Sequence, residues 1–134
     1  MITKQIIIAK KQVVTIETIA TVYVVSTPDI EPQGLFLKLT KTYNPKGMSP
    51  NELYEATRRE WKIKQQKVDQ IEYIFATHNN TIIEVYKPNE WYANIKTGRL
   101  MFDGELAPLD VRQQYIGRYV PALAGVRNPV SYNF

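Results

Sequence analysis

The clearest cluster of chemically useful side chains lies near the middle of the sequence. Tyr54, Arg58 and Trp61 are spaced four and then three residues apart, which places them on one flank of a helix. An arginine offers a planar fork of donors for a phosphate, and neighbouring aromatic rings can stack on a base. The spacing therefore favours a site for a phosphate-bearing, flat-ringed ligand. The structural alternative is an arginine whose stem covers Trp61 while its head pairs with Glu55 or Glu84.

Other candidate residues lie closer to the C-terminus. Trp91 and Tyr92 form an aromatic pair that could stack on a base or cover the core. Arg99, Arg112 and Arg118 could join Arg58 in binding one anion. Glu84 lies inside an apolar strand, so it needs an arginine partner if it faces inwards, and Arg58 is the expected one. The candidate ligand-binding set is Tyr54, Arg58, Trp61, Glu84, Tyr86, Trp91, Tyr92, Arg99, Arg112 and Arg118.

Catalytic signatures are absent from the sequence. It has no cysteine and a single histidine, His78, which excludes thiol chemistry, cysteine-ligated metals and most triad chemistry. It also has no glycine-rich phosphate loop and no nucleophile elbow. Asp103 and Glu105 flank Gly104 and could hold a divalent ion, but a loop end explains them as well. We expect no catalytic residue, no metal and no cofactor, and a protein that binds rather than catalyses.

Composition narrows the class of partner. The chain has 134 residues and a net charge of +4, with acids and bases largely interleaved, which favours anionic partners over neutral ones. No apolar run approaches the roughly 20 residues of a membrane helix, and lysines interrupt the short apolar N-terminus. We therefore expect no membrane contact and a cytoplasmic location. Lys62, Lys64 and Lys67 are explained by a solvated helix end as well as by a phosphate track.

The elements that must position these residues are predicted from periodicity and turn chemistry. β-Branched and aromatic residues indicate strands, and Ser49, Pro50 and Glu52 form a capping box that starts a helix. The two asparagines after His78 tolerate positive φ, so this segment is predicted to be a solvent-exposed hairpin turn. The predicted elements are strands at 5–9, 12–16, 18–26, 34–41, 71–77, 81–86, 93–95 and 100–102, a turn at 88–91, and helices at about 50–65 and about 108–116. Gly117 is expected to end the second helix in a left-handed conformation, and residues 121–134 are expected to be irregular.

These elements predict an α+β fold, with a mixed or antiparallel sheet, one longer helix and one short helix. Residues 1–134 are expected to form a single domain, in which 1–33 is an N-terminal β-extension and 34–134 is the core. Exposed strand edges in the extension could form a homo-oligomer, or the extension could enlarge the core's own sheet.

A set of residues from about position 34 onward matches a known family. These residues are Met48-Ser-Pro-Asn-Glu-Leu-Tyr-Glu-Ala-Thr-Arg58, Trp61, Tyr73, Ala76, Ile83-Glu-Val-Tyr86, Trp91, Phe102, Gly104, Ala107-Pro108, Arg112, Tyr115-Ile-Gly117, Asn128-Pro129 and Tyr132. In them the chain resembles a small uncharacterised prokaryotic and phage domain, which occurs alone and attached to nuclease modules of the GIY-YIG type. The resemblance implies the core boundaries given above but no established activity, and it implies the host cytoplasm as the location if the gene is a phage's. One departure concerns Arg59, Glu60 and Trp61-Lys62, where the related domains tend to have glycine and then Trp-Arg.

The function expected from the sequence is non-catalytic binding of a phosphate-bearing nucleotide through arginine and aromatic residues. With the phage resemblance, sequestration of a nucleotide immune signal is a concrete form of this hypothesis. One alternative is a DNA- or RNA-binding accessory domain linked to nuclease or restriction systems. Another is a metal-dependent nuclease or phosphodiesterase built on Glu84, although Lys87 follows Glu84 by three residues and such a nuclease site would have a lysine two residues on. The expected partner is thus a nucleotide or a nucleic acid.

Overall fold

Five strands and two helices are formed by residues 29–134, which are the residues that the computed structural model describes. The predicted strands at 5–9, 12–16 and 18–26, and the homo-oligomer expected from them, lie outside the described residues. Short 3-10 turns occupy Gln65–Gln70 and Pro121–Leu123. The main elements are β1 (Gly34–Lys38), α1 (Pro50–Arg58), β2 (Tyr73–His78), β3 (Thr81–Ala93), β4 (Leu100–Leu106), α2 (Leu109–Tyr115) and β5 (Val130–Tyr132).

The sheet is mixed, and its strand order is β4-β3-β2-β1-β5. β1 and β2 run parallel and are joined through α1, whereas every other neighbouring pair is antiparallel. The prediction of an α+β fold, with a mixed sheet and two helices, is confirmed. No helix within residues 29–134 is long and apolar enough to cross a bilayer.

α1 begins where the sequence predicts and ends earlier. The Ser49 hydroxyl accepts a hydrogen bond from the Glu52 N–H at 3.1 Å, and the Glu52 carboxylate accepts one from the Ser49 N–H at 2.8 Å. The predicted end near residue 65 is wrong, because α1 ends at Arg58. Three residues later Trp61 exchanges two backbone hydrogen bonds with Leu100, at 2.9 and 2.8 Å. Pairing with β4 therefore replaces the helical hydrogen bonds that a longer α1 would make.

β3 is longer than predicted. The turn expected at 88–91 is wrong, since the strand continues beside β4 to its end at Ala93. A bulge between Pro88 and Glu90 accommodates the proline, which has no N–H for the ladder. Gly104 lies opposite, where a Cβ would stand 2.3 Å from the Lys87 carbonyl oxygen, so this approach of two strands requires glycine. The C-terminal segment, predicted to be irregular, contributes β5.

The β2–β3 hairpin turn is formed as predicted, but its histidine is not exposed as expected. Asn79 and Asn80 take φ values of 51° and 62°, as the asparagine pair indicates. His78 is instead the last residue of β2, and its ring packs on Tyr43 with centroids 4.9 Å apart. The strand end and the aromatic contact bury part of its imidazole. Gly117, with a φ of 91°, follows α2 as the expected left-handed residue.

The core lies on both sides of the sheet, because alternate residues of a strand face opposite sides. Leu35 and Tyr86 belong to the side that α1 covers. Phe36 and Phe75 belong to the side that α2 covers, where their rings stack with centroids 4.7 Å apart. β3, which carries four of the ten candidate site residues, and the neighbouring β4 are therefore held by core contacts along much of their length.

Candidate functional site

The first candidate cluster covers the outer edge of β4. An edge strand leaves every second backbone N–H and C=O without a partner strand. The Gly104 N–H donates to the Tyr54 hydroxyl at 2.9 Å, and Arg58 Nε donates to the Phe102 carbonyl at 3.0 Å. Trp61 completes this row by its backbone pairing with the start of β4. Helical spacing does group Tyr54 with Arg58, but their polar groups face the sheet; Trp61 lies beyond the end of α1, so its expected place on the helix is wrong, and it reaches β4 through its backbone.

The charge of Arg58 is compensated within the protein. Its guanidinium is bonded to the Asp103 carboxylate, and Glu55 lies 3.6 Å from it. The side chain is only 15% exposed and lies 5.8 Å from the centre of the Tyr54 ring. Burial works against the charged form, but the bonds to Asp103 and Tyr54 outweigh it and raise the pKa of Arg58. Arg58 is therefore a structural cation in the described fold.

The strand glutamate has an arginine partner, and it is a different one from that expected. Glu84 accepts two hydrogen bonds from Arg112, at 2.8 Å from Nε and 3.0 Å from the terminal nitrogen. The predicted pairing of Glu84 with Arg58 is wrong because α2 brings Arg112 to β3, whereas the end of α1 lies further along the sheet. Tyr86 follows two residues later in β3 and is buried, which raises its pKa. The bidentate pair fastens α2 to the sheet.

The aromatic pair of β3 is divided between two environments. Trp91 packs on Phe102 with ring centroids 5.6 Å apart, and so it belongs to the core beneath α1. Tyr92 faces the other way and is exposed. Its hydroxyl lies 2.9 Å from an Asp103 oxygen and 3.0 Å from a Glu90 oxygen. These contacts, with Asp103 first, raise the pKa of Tyr92 to about 12, and the Tyr92 hydroxyl is the main cause of a lowered pKa at Asp103.

The four candidate arginines do not converge. Along β3 they follow the order Arg118, Arg112, Arg58 and Arg99. The Arg118 carbonyl accepts the N–H of Ile82 near the start of the strand, and Arg99 follows the turn beyond the strand's end. At about 3.3 Å per residue this separation is roughly 35 Å, several times the length of a side chain. A compact pocket that uses all four is therefore not formed by the described residues.

A different basic group surrounds the β3–β4 turn. The backbone bridge between Trp61 and the start of β4 brings Lys62 next to Arg99, and Lys96 lies in the turn itself. Ile95, also in the turn, is 97% exposed. None of the three cations forms an ion pair with another described residue. We refer to Lys62, Ile95, Lys96 and Arg99 as the basic tip.

The charge around the basic tip is mainly positive. The stretches 61–68 and 93–102 contain five basic residues and no acidic one. Lys64 is exposed, whereas Lys67 lies over two aromatic rings near the C-terminus, at 4.5 and 4.8 Å, and so contributes to packing. Glu60 is the acidic residue next to the first stretch. Its carboxylate accepts hydrogen bonds from the side-chain amide of Asn94, which begins the β3–β4 turn.

Only Arg99 of the basic tip belongs to the candidate set read from the sequence. The sequence interpretation leaves Lys62 open between a solvated helix end and a phosphate track, and α1 stops before this residue. The sequence contains one signal for the basic tip, which is Ile95 directly before a Lys-Thr-Gly turn. An apolar residue at the tip of a hairpin is too far from the core to be buried in it. No local sequence signal shows that the chain passes from α1 to β4 and so brings Lys62 to the β3–β4 turn.

The described residues contain no group of three or more histidine, cysteine, aspartate or glutamate side chains placed to hold a metal ion. Asp103, one of the two carboxylates considered for a divalent ion, is instead bonded to Arg58 and Tyr92. Both Asp103 and Glu105 lie within β4, so the loop end considered as their alternative explanation is wrong as well.

Comparison of the chain with protein-family models, with curated proteins and with solved structures gives no match. The resemblance to the nuclease-linked phage domain stays a prediction from the sequence.

Proposed function

We propose that the protein is a non-catalytic nucleic-acid-binding protein that holds the phosphate backbone at its basic tip. The observation that carries this proposal is the group of three exposed cations, without ion pairs among the described residues, around one exposed isoleucine. Cations that are not neutralised by neighbouring carboxylates are free to replace the counterions of a phosphate chain. Lys64 extends this surface along the segment that follows Lys62.

A long ligand is favoured over a compact nucleotide by the placement of the charges. Arg58 and Arg112 are already bound to carboxylates, so a nucleotide would have to displace those bonds. The three cations of the basic tip are instead exposed around a turn. The sequestration of a small nucleotide signal, expected from the phage resemblance, receives no support from these contacts. Binding of a small nucleotide is the alternative that native mass spectrometry, described below, would detect.

The proposal is tested by fluorescence anisotropy with a labelled DNA duplex of about 20 base pairs at several salt concentrations. Three phosphate contacts give a slope of about −3 for log affinity against log salt. The double variant Lys96→Gln/Arg99→Gln removes two of them and should reduce that slope by about 2. The matched control is Lys41→Gln/Lys46→Gln, which removes two exposed charges from the loop between β1 and α1, at the opposite end of the sheet. It should leave the slope unchanged.

Three results would contradict the binding proposal, and a fourth would contradict only its non-catalytic part. The first is an affinity that does not depend on salt, and the second is an equal loss of affinity in the tip and control variants. The third is a nucleotide that co-purifies with the protein in native mass spectrometry and binds more tightly than the duplex, which would favour the small ligand. DNA cleaved during incubation with Mg²⁺ would reject the non-catalytic part of the proposal and direct attention to Glu84→Ala.

A further inference from the structure

We propose that Ile95 is a wedge that enters between two stacked base pairs of duplex DNA and kinks the helix there. This inference rests on the proposed function and adds a mode of recognition to it. Cations that bind the phosphate backbone attract any polyanion. An inserted apolar side chain adds selectivity, because it enters a base step that unstacks easily more readily than one that resists unstacking.

The exposure of Ile95 sets it apart from the other large apolar side chains at the surface. It is 97% exposed, and the next most exposed in the described residues, Leu109, is at 62%. Partly exposed apolar residues are ordinary at a protein surface, because they still cover a core with one face. Ile95 covers nothing, so folding does not account for an isoleucine at this position. A hydrophobic contact made in a complex would account for it.

The turn that carries Ile95 is held rigid by its own hydrogen bonds. Asn94 donates its N–H to the Arg99 carbonyl at 2.8 Å and accepts from the Gly98 N–H at 2.7 Å. The Asn94 side-chain oxygen accepts from the N–H groups of Lys96 and Thr97, at 2.9 and 3.3 Å. These bonds restrain the backbone on both sides of Ile95 in the absence of a ligand. A wedge presented in this way loses little conformational entropy on insertion.

The charges of the tip match the phosphates that flank an opened base step. Lys96 follows Ile95 directly, Arg99 closes the same turn, and Lys62 lies next to Arg99. An apolar side chain between positive groups is the combination that kinking proteins bring to the minor groove. A lipid surface is a poorer match, because interfacial binding needs an extended apolar face and this tip has one apolar side chain among polar neighbours. Duplex DNA is the occupant that fits both features.

The test compares two duplexes of identical sequence and length, one intact and one with a single nick at its centre. A nick makes a step easy to unstack, so a wedge that must unstack bases binds the nicked duplex more tightly. We expect the wild-type protein to prefer the nicked duplex by about tenfold, equivalent to about 1.4 kcal/mol. Ile95→Ser should remove the preference while keeping the salt slope of the wild type, because the three cations remain. Ile95→Leu should restore the preference, and Val126→Ser, at another exposed apolar position, should not change it.

The possible outcomes separate the wedge from the proposed function. An equal preference for the nicked duplex in wild type and Ile95→Ser, or no preference in either, overturns the wedge and leaves phosphate binding intact. The absence of salt-dependent binding to both duplexes overturns the proposed function and the wedge together. Binding to vesicles of anionic lipid with no binding to DNA assigns the tip to a membrane surface and also overturns the wedge. Fluorescence energy transfer between labelled duplex ends should report a shorter end-to-end distance with the wild type than with Ile95→Ser.

Discussion

Replacement of Arg58 by methionine separates the structural role of this residue from a ligand-binding role. Methionine keeps an unbranched apolar stem, so the packing along the side chain is largely retained. The change removes the guanidinium, and with it the hydrogen bond to the Phe102 carbonyl at 3.0 Å and the contacts to Asp103 and Glu55. The outer edge of β4 then has a carbonyl group without its donor.

The size of the effect follows from how much of each contact is shielded from water. A hydrogen bond from a charged donor contributes about 1.5–3 kcal/mol to the free energy of unfolding. The ion pairs of Arg58 add little, since both partner carboxylates are exposed enough to be screened. We therefore expect Arg58→Met to lower the free energy of unfolding by about 2 kcal/mol. For a domain of this size that corresponds to a fall in Tm of about 6–10 °C.

The matched control is the neighbouring arginine. Arg59 is exposed and makes one ion pair with Glu55 four residues earlier in the chain, so Arg59→Met should lower the free energy of unfolding by about 0.5 kcal/mol or less. Urea unfolding followed by tryptophan fluorescence measures both variants, and the duplex titration measures whether either one binds less well. If Arg58→Met matched Arg59→Met in stability but lost binding, then Arg58 would be a ligand residue and its role in covering β4 would be refuted.

Two further contacts give predictions of their own. Glu84→Gln and Arg112→Met should each lower the free energy of unfolding by about 1–3 kcal/mol, because these side chains are only 13% and 26% exposed and each change leaves a partner unpaired. In a double-mutant cycle the effects should be less than additive, and strict additivity would show that the pair is not coupled. The raised pKa of Tyr92, about 12 against 10.0 unperturbed, means that folding favours the protonated phenol. The contribution of the Tyr92 hydroxyl to stability is therefore fully present below pH 10 and is lost as the pH rises towards 12. The difference in free energy of unfolding between wild type and Tyr92→Phe should shrink over that range. A difference that stays constant would contradict the assignment.

The parts of the fold that the sequence predicts are those with local signals. Ser49 and Glu52 form the capping box and fix the start of α1. Asn79 and Asn80 form the β2–β3 turn, and Gly117 follows α2, because each of these depends on a backbone conformation that few residues adopt. The α+β fold class follows from these elements together.

The parts that the sequence does not predict depend on pairing between distant segments. The end of α1 is set by the bridge from Trp61 to β4, about 40 residues further along the chain, and no local residue announces it. Pro88 indicates a turn by its type, yet a bulge and the glycine opposite keep it within β3.

The candidate site shows the same division between local and distant information. Helical spacing correctly groups Tyr54 with Arg58, and an arginine partner for Glu84 is correctly expected. Which arginine reaches Glu84 is decided by the route of the chain after β4, which brings α2 and Arg112 alongside β3. The same is true of Lys62, which the segment after α1 brings to the β3–β4 turn.

The covered edge of β4 has a consequence for how copies of this chain could meet. Tyr54, Arg58 and Trp61 occupy several of the main-chain groups that an incoming strand would use at β4, so the edge of the described sheet that is more open to a further strand is β5. Two copies that joined through β5 would each cover the open edge of the other. Within the described residues, such an association would close as a symmetric pair and not continue as a fibre.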